Sequence, residues 1–249
     1  MILPWELGFS LGDSMHVTGI VLAAGGGSRI GSAIPKQFLP LAGVPLLART
    51  VQALRASGRM DCLILVVPSG QEERCQREIL NPFGLTADAV VPGGTDRQAS
   101  VYAGLLQVSA GTDLVLIHDG ARPFITPEVI VAAVEAAAEA GAAVVAVPVT
   151  DTIKVADADG WFVDTPQRNR LWAAQTPQVF RAALLREAHD NALRDGFRGT
   201  DDSALVERLG HRVRLVPGSP ENLKITTPAD LALADQILRA RESEAGRGR

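Results

Sequence analysis

The chain has 249 residues, 47% of them hydrophobic and 21% charged, with a net charge of −4 at neutral pH. That length suits one large domain or two small ones, and roughly three quarters of the unfolded chain's surface can be buried. The charge balance excludes a broad basic face for nucleic acid or anionic lipid, no stretch approaches the ~18 apolar residues of a membrane span, and Cys62 and Cys75 form neither a disulfide framework nor a zinc pattern. The expectation is a cytoplasmic protein without a nucleic-acid or membrane partner.

The first residues, "MILPWELGFSLGDSMHVTGI", lack a basic leader and a long apolar core, so they do not read as a signal peptide. Residues 1–14 are expected to be a loosely held extension, with Met15 as an alternative start and a docked N-terminal arm as the other possibility. Beyond Met15, strand-like and helix-like patterns alternate. "TGIVLAA" (18–24), "CLILVV" (62–67), "ADAVV" (87–91), "DLVLIH" (113–118) and "AAVVAVPV" (142–149) are short apolar runs of the kind buried on both faces. Between them lie helical patterns at 45–57, 70–80, 96–109 and 126–141. Pro45 suits a first turn, and Thr126 and Gly141 suit the N-cap and the stop of the last of these helices. The repetition predicts an α/β, Rossmann-like fold with a mostly parallel central sheet and helices on both faces.

The rhythm breaks after Val149. "TIKVADADGWFV" (152–163) alternates around Asp159-Gly160, a hairpin turn signal, and "NRLWAAQTPQVF" (169–180) is strand-like again. Residues 148–176 therefore read as a β arm projecting from the sheet. Helices resume near 181–195 and 202–209, "RVRLVPG" (212–218) and "LKIT" (223–226) read as short strands, and a last helix covers 228–241. Residues 15–241 form one expected domain, with 242–249 a frayed tail.

The chemistry starts at "VLAAGGGSRIGSAIPKQ" (21–37). Bare backbone followed by cations suits an anion held against main-chain amides. A P-loop would need Lys where Ser32 stands. A dinucleotide fingerprint would need Gly in place of Ile30, and an acid after the second strand, where "VVPSG" carries none.

"LAAGGGSRIG…PKQF" resembles the signature loop of sugar-phosphate nucleotidyltransferases, and "PKQ" points to their cytidylyltransferase branch. Six further motifs follow in order: "PGGTDRQASV" (92–101), "HDGARPF" (118–124), "PVTDTIK" (148–154), "RNRLWAAQTPQVF" (168–180), "GTDDSALVE" (199–207) and "NLKITTPADLALA" (222–234). Over about 17–240 the chain resembles the 2-C-methyl-D-erythritol 4-phosphate cytidylyltransferase family of isoprenoid-precursor enzymes. The resemblance implies attack of a substrate phosphate on the α-phosphorus of CTP, with Mg²⁺ or another divalent cation carried mainly by the CTP phosphates.

It also implies residue roles. Arg29 and Lys36 would stabilise the transition state and the leaving pyrophosphate, and Lys224 would contact the α-phosphate and the incoming phosphate. Ala23, Ala24, Gly25, Gly26, Gly27, Gly94, Thr95 and Ser100 would hold the nucleotide, with Arg97 steadying their loop. Asp119 would lie near the metal and the substrate, with Arg122, Thr176 and Thr200 around it. Thr152 and Arg168 on the arm would bind substrate phosphate in a partner subunit, which makes the expected assembly a homodimer. His118 reads as a packed structural histidine. The chain departs from the family pattern at "TDDSA" (200–204), at Thr95 and at Gly120, and none of these removes a cation. The rival readings are a cytidylyltransferase for ribitol 5-phosphate or another polyol phosphate, and a non-catalytic nucleotide-binding protein on the same scaffold.

Overall fold

The computed structural model describes residues 15–25 and 34–247, with side chains to 243. The expected extension 1–14, and with it Gly26, Gly27 and Arg29, lie outside the described residues. The first strand, β1 (Val17–Leu22), leads through the short hairpin β2 (Pro40–Leu41) and β3 (Val44–Pro45) into α1 (Leu46–Ala56). Then come β4 (Cys62–Val67), α2 (Glu72–Cys75), β5 (Ala89–Pro92), α3 (Arg97–Leu105), β6 (Leu114–Asp119), α4 (Pro127–Ala140) and β7 (Ala142–Pro148). The second half adds the arm strands β8 (Val155–Ala156) and β9 (Phe162–Asp164), then β10 (Trp172–Arg181), α5 (Ala182–Arg194), α6 (Asp202–Arg208), β11 (Arg214–Pro217) and α7 (Pro228–Arg247).

Seven strands form one sheet in the order β11-β7-β10-β6-β1-β4-β5. Its pairs are parallel except those of β10, which runs antiparallel to both β6 and β7. The continuous apolar runs follow from two-sided burial. Leu63, Leu65, Leu114 and Leu116 face a core completed by α1 and α4. Their neighbours Ile64, Val66, Val115 and Ile117 face a second core completed by α3 and α5. Because α1 and α3 cover opposite faces, the chain reverses its winding between β1 and β6. Open α/β sheets bind ligands at such a reversal, beyond the carboxyl ends of the strands.

Local chemistry fits most of these elements. Asp96 caps α3 by accepting from the Ala99 amide at 2.8 Å, and Asp201 caps α6 through the Ala204 amide at 3.0 Å. Gly141 ends α4 in the left-handed region at φ +85°. Thr126 stands at the expected N-cap of that helix, but its side chain makes no capping bond.

Several expectations are corrected. The helix expected over 70–80 is α-helical only as α2 and continues as a turn of π-helix, Gln76–Leu80, which keeps Cys75, Ile79 and Leu80 all buried. "LKIT" is not a strand: it crosses the carboxyl edge of the sheet, and the Ile225 amide donates to the Ala121 carbonyl. The arm is narrower than 148–176, because Trp172, Ala173 and Ala174 pair with Pro148, Val147 and Ala146 inside the sheet. The last helix continues to Arg247, past the expected end at 241.

Gly104 sets how closely α3 approaches the sheet. A Cβ there would lie 2.7 Å from Ile20 Cγ2 and 3.0 Å from Val66 Cγ2. Ala would gain about 1 kcal/mol in helix propensity, but overpacking a close contact costs about 1–3 kcal/mol. Gly104→Ala is expected to lower the unfolding free energy by up to about 2 kcal/mol, the overpacking cost less the propensity gain, read by urea denaturation; a gain of about 1 kcal/mol, the full propensity difference, would contradict the close-approach argument.

Candidate functional site

Two clefts meet at the reversal point. The upper one, about 320 Å³, lies between the turn that follows β1 and the N-terminus of α3. Ala24, Gly25 and Lys36 form one wall, and Gly94, Thr95 and Arg97 form the other. The lower cleft, about 250 Å³, is bounded by Arg122, Gln175, Thr176, Gln178, Thr200 and Asp201. Arg97, Asp119 and Lys224 line both.

The "PGG" turn permits the narrow upper cleft. A Cβ on Gly93 would sit 2.3 Å from Ala24 Cβ, and one on Gly94 would sit 2.4 Å from Ala99 Cβ. Ser100 fixes this turn from below: its hydroxyl accepts from the Gly94 amide at 3.1 Å and donates to the Asp96 carbonyl at 2.8 Å. Ser100 thus offers a ligand an oxygen but no spare proton. Ala23 is buried behind the wall, its amide donating to Val66 at 2.7 Å. The Lys36 stem runs beside Gly25, where an added Cβ would stand 3.9 Å from Lys36 Cε.

Asp119 ends β6, beside Leu22 in the register of β1. Its Oδ2 accepts from Lys224 Nζ at 3.0 Å and from Arg122 Nε at 3.2 Å. Burial alone would raise its pKa, but Lys224, then Arg122 and Arg97, outweigh burial and hold it at about 2. The carboxylate is therefore ionised at neutral pH and joins Arg122 of its own turn to Lys224 of a distant segment.

His118 secures the same corner from inside. The Thr176 hydroxyl accepts from the Asp119 amide at 3.0 Å and donates to His118 Nδ1 at 3.0 Å; His118 Nε2 then donates to the Arg122 carbonyl at 3.1 Å. The tautomer follows from these partners. Desolvation lowers the His118 pKa to about 4, so the ring is neutral and structural. Thr176 lines the lower cleft, yet its hydroxyl is committed to this chain. Thr200 is exposed on the lower rim.

Two site-building residues escaped the sequence reading. Asn222, 1% exposed, donates from Nδ2 to Gln175 Oε1 at 3.0 Å and to the Thr176 carbonyl at 2.9 Å, while its main-chain carbonyl accepts from Arg122 at 2.7 Å. Gln175 in turn donates to the Ser219 carbonyl at 2.9 Å. Together they fasten the Lys224 segment to β10. Amide side chains carry no charge signature in a single sequence, and "NLKIT" drew attention only through its lysine.

Thr152 and Arg168 line neither cleft of their own chain. Both are exposed on the arm, where Arg168 Nη1 donates to the Thr150 carbonyl at 2.9 Å. Among the described residues no group of three His, Cys, Asp or Glu is placed to hold a metal ion, and no helix is long and apolar enough to cross a membrane.

The family model described as IspD, 2-C-methyl-D-erythritol 4-phosphate cytidylyltransferase, matches residues 17–240. The chain is 45% identical to a protein of that name from Pelotomaculum thermopropionicum, over 92% of this chain and 98% of that one. It is 46% identical to a protein of the same description from Caldanaerobacter subterraneus, over 90% of this chain and 100% of that one. Among solved structures, 4-diphosphocytidyl-2C-methyl-D-erythritol synthase from Anaerococcus prevotii superposes with a TM-score of 0.81 at 31% identity, covering 91% of this chain and all of that one. The cytidylyltransferase from Thermus thermophilus gives 0.74 at 39% identity, covering 90% and 100%.

The buried, neutral His118 has a consequence for stability. Its folded pKa, about 4, lies below the ordinary 6.5. Between those values the unfolded chain binds a proton that the folded chain does not, so stability falls as pH drops from about 6.5 to about 4, by at most ~1.4 kcal/mol per pH unit. The Asp119 contribution, also from a lowered pKa, is lost only further down, between about 4 and about 2. Urea titrations from pH 7 to 4.5 should show the first slope in the wild type and a shallower one in His118→Gln; equal slopes would refute the assignment.

Proposed function

Because the chain belongs to the 2-C-methyl-D-erythritol 4-phosphate cytidylyltransferase family, we propose that its two clefts hold CTP and methylerythritol phosphate for in-line transfer of the cytidylyl group. The enzyme is a nucleotidyltransferase of isoprenoid-precursor synthesis, and CTP is its nucleotide substrate. A phosphate oxygen of the polyol phosphate attacks the α-phosphorus, the new P–O bond forms as the bond to the β-phosphate breaks, and pyrophosphate leaves with the electron pair. A phosphate monoester has a second pKa of about 6 and is already an anion at neutral pH, so no side-chain base is required. The demand is alignment and relief of anion–anion repulsion.

The observation that carries this reading is the meeting of the two clefts at Arg97, Asp119 and Lys224. The upper cleft takes the nucleotide, its base against the Ala24–Gly25 and Gly94–Thr95 walls and Lys36 on the phosphates; for Arg29, outside the described residues, the same role rests on the sequence resemblance alone. The lower cleft takes the polyol phosphate, with Arg122 and Thr200 beside it. Lys224 lies at the join, where the attacking phosphate and the α-phosphate come together, and its pairing with Asp119 keeps it there before ligands arrive. A magnesium ion bound to the triphosphate would neutralise departing charge. Magnesium sites commonly combine one or two carboxylates with substrate phosphates, and Asp119 is the carboxylate that fits this requirement.

The active unit in this reading is a homodimer in the cytoplasm, where Cys62 and Cys75 remain thiols. Trp161 and Phe162 on the arm are 74% and 73% exposed, and Trp172 at its base 42%; a face of that kind calls for a covering partner. Covering it with a second subunit would carry Thr152 and Arg168 to the neighbour's lower cleft.

Three measurements test this. With CTP and Mg²⁺, pyrophosphate release is expected with methylerythritol phosphate; release with ribitol 5-phosphate alone would overturn the substrate assignment. Lys36→Ala should lower kcat by about 10²–10³-fold, the scale of a lost electrostatic stabiliser, and an unchanged kcat would remove Lys36 from the chemistry. If sites are shared, mixing inactive Lys36→Ala and Arg168→Ala subunits should restore about a quarter of wild-type activity, since half the dimers are mixed and each carries one intact site. No recovery in mixed dimers would argue that each site is built from one chain.

A further inference from the structure

Arg97 holds an unusual place. It is the first residue of α3, lines both clefts, and keeps 29% of its side chain exposed. Behind it lies a chain of buried polar groups with no part in the mechanism above. Arg97 Nη1 donates to Asp202 Oδ2 at 2.7 Å, and Asp202 is 1% exposed. The other oxygen of that carboxylate faces His189 Nε2 at 3.0 Å, and His189 is also 1% exposed. A carboxylate only accepts, so His189 carries its proton on Nε2. Its Nδ1 is buried without a hydrogen-bond partner, and the ring stacks on Tyr102 of α3, centroids 6.1 Å apart.

We propose that Asp202 and His189 are positioning residues for the transfer reaction, holding the Arg97 guanidinium at the junction of the clefts, where it contacts the reacting phosphates. The inference rests on the function proposed above. Positioning is favoured over a simple core link on two grounds. First, a buried ion pair is a poor source of stability: each desolvated ion costs several kcal/mol, and apolar replacements are often neutral or better. Joining α3, α5 and α6 would be served as well by leucines, so a carboxylate aimed at a cleft-lining cation indicates a need for geometry. Second, an arginine side chain is long and rich in rotamers, so fixing it costs entropy. Left untethered between two anionic ligands it would have to be ordered on every turnover. Asp202 orders it beforehand, and His189, packed against Tyr102, orders Asp202. A further link runs to the lower cleft: Asp201, adjacent to Asp202, accepts from Gln178 Nε2 at 2.7 Å.

The test compares three variants by steady-state kinetics and thermal unfolding. His189→Phe keeps a ring against Tyr102 but removes the donor, and should lower kcat about 10-fold with KM for both substrates within about 3-fold, since misplacing a group by about 1 Å can cost up to about 10²-fold in rate. His189→Gln restores an N–H at similar reach and should return kcat to within about 3-fold of wild type. Arg97→Lys keeps a positive charge beside the buried Asp202 but loses the guanidinium fork, and should lower kcat about 30–100-fold with its thermal unfolding checked alongside. The proposal is overturned if Arg97→Lys retains wild-type kcat, or if both His189 variants lose thermal stability alike while kcat stays unchanged. A wild-type enzyme inactive with CTP and methylerythritol phosphate would instead sink the functional reading and this one with it; an active wild type with unaffected variants sinks this one alone.

Discussion

Asp119 is one carboxylate, 6% exposed, that must remain charged inside the carboxyl edge of the central sheet. It does so because Lys224 and Arg122 both reach its Oδ2, 3.0 and 3.2 Å away, with Arg97 adding to their field. Removing either cation would leave a buried charge poorly compensated, which is costly in a low-dielectric site. Much of the surrounding architecture maintains this meeting. β6 delivers Asp119 beside Leu22, the His118–Thr176 bonds lock the turn that carries Arg122, and Asn222 fastens the segment that carries Lys224.

The same arrangement explains why a chain with net charge −4 can serve two anionic substrates. Its cations are gathered locally and held by acids: Lys224 and Arg122 share Asp119, and Arg97 pairs with Asp202. Fixed charges of this kind need little reorganisation when phosphates arrive, and that is the main source of electrostatic catalysis. Because the nucleophile is already an anion, the protein's work is to place charge and not to move protons. The neutral, fully buried His118 is consistent with that division of labour.

The sheet, its alternation with helices and the projecting hairpin were readable from periodicity, because two-sided burial forces continuous apolar strands. Errors fell where local pattern and tertiary role diverge. "LKIT" has strand composition, but it lies across the strand ends, where it has no ladder to join. Trp172–Ala174 looked like part of the arm, although pairing with β7 draws it into the sheet. The π-turn after α2 keeps Cys75, Ile79 and Leu80 buried, a demand set by the neighbouring layer and invisible in helical spacing.

What the amino-acid order determined by itself was short-range: the apolar runs, the glycine turn with cations after it, the helix stop at Gly141, and a set of motifs specific enough to mark a family. Tertiary structure alone decided which of those groups act together. Asp119 and Lys224 are 105 positions apart, as are Arg97 and Asp202, and no local propensity encodes either pair. Nor could sequence reveal that Thr176 spends its hydroxyl on His118 while Asn222 holds the lysine segment in place. Hydrogen bonds and ion pairs depend on distance in space, and in an open parallel sheet that distance is set by strand order and register, which close only when the chain has folded.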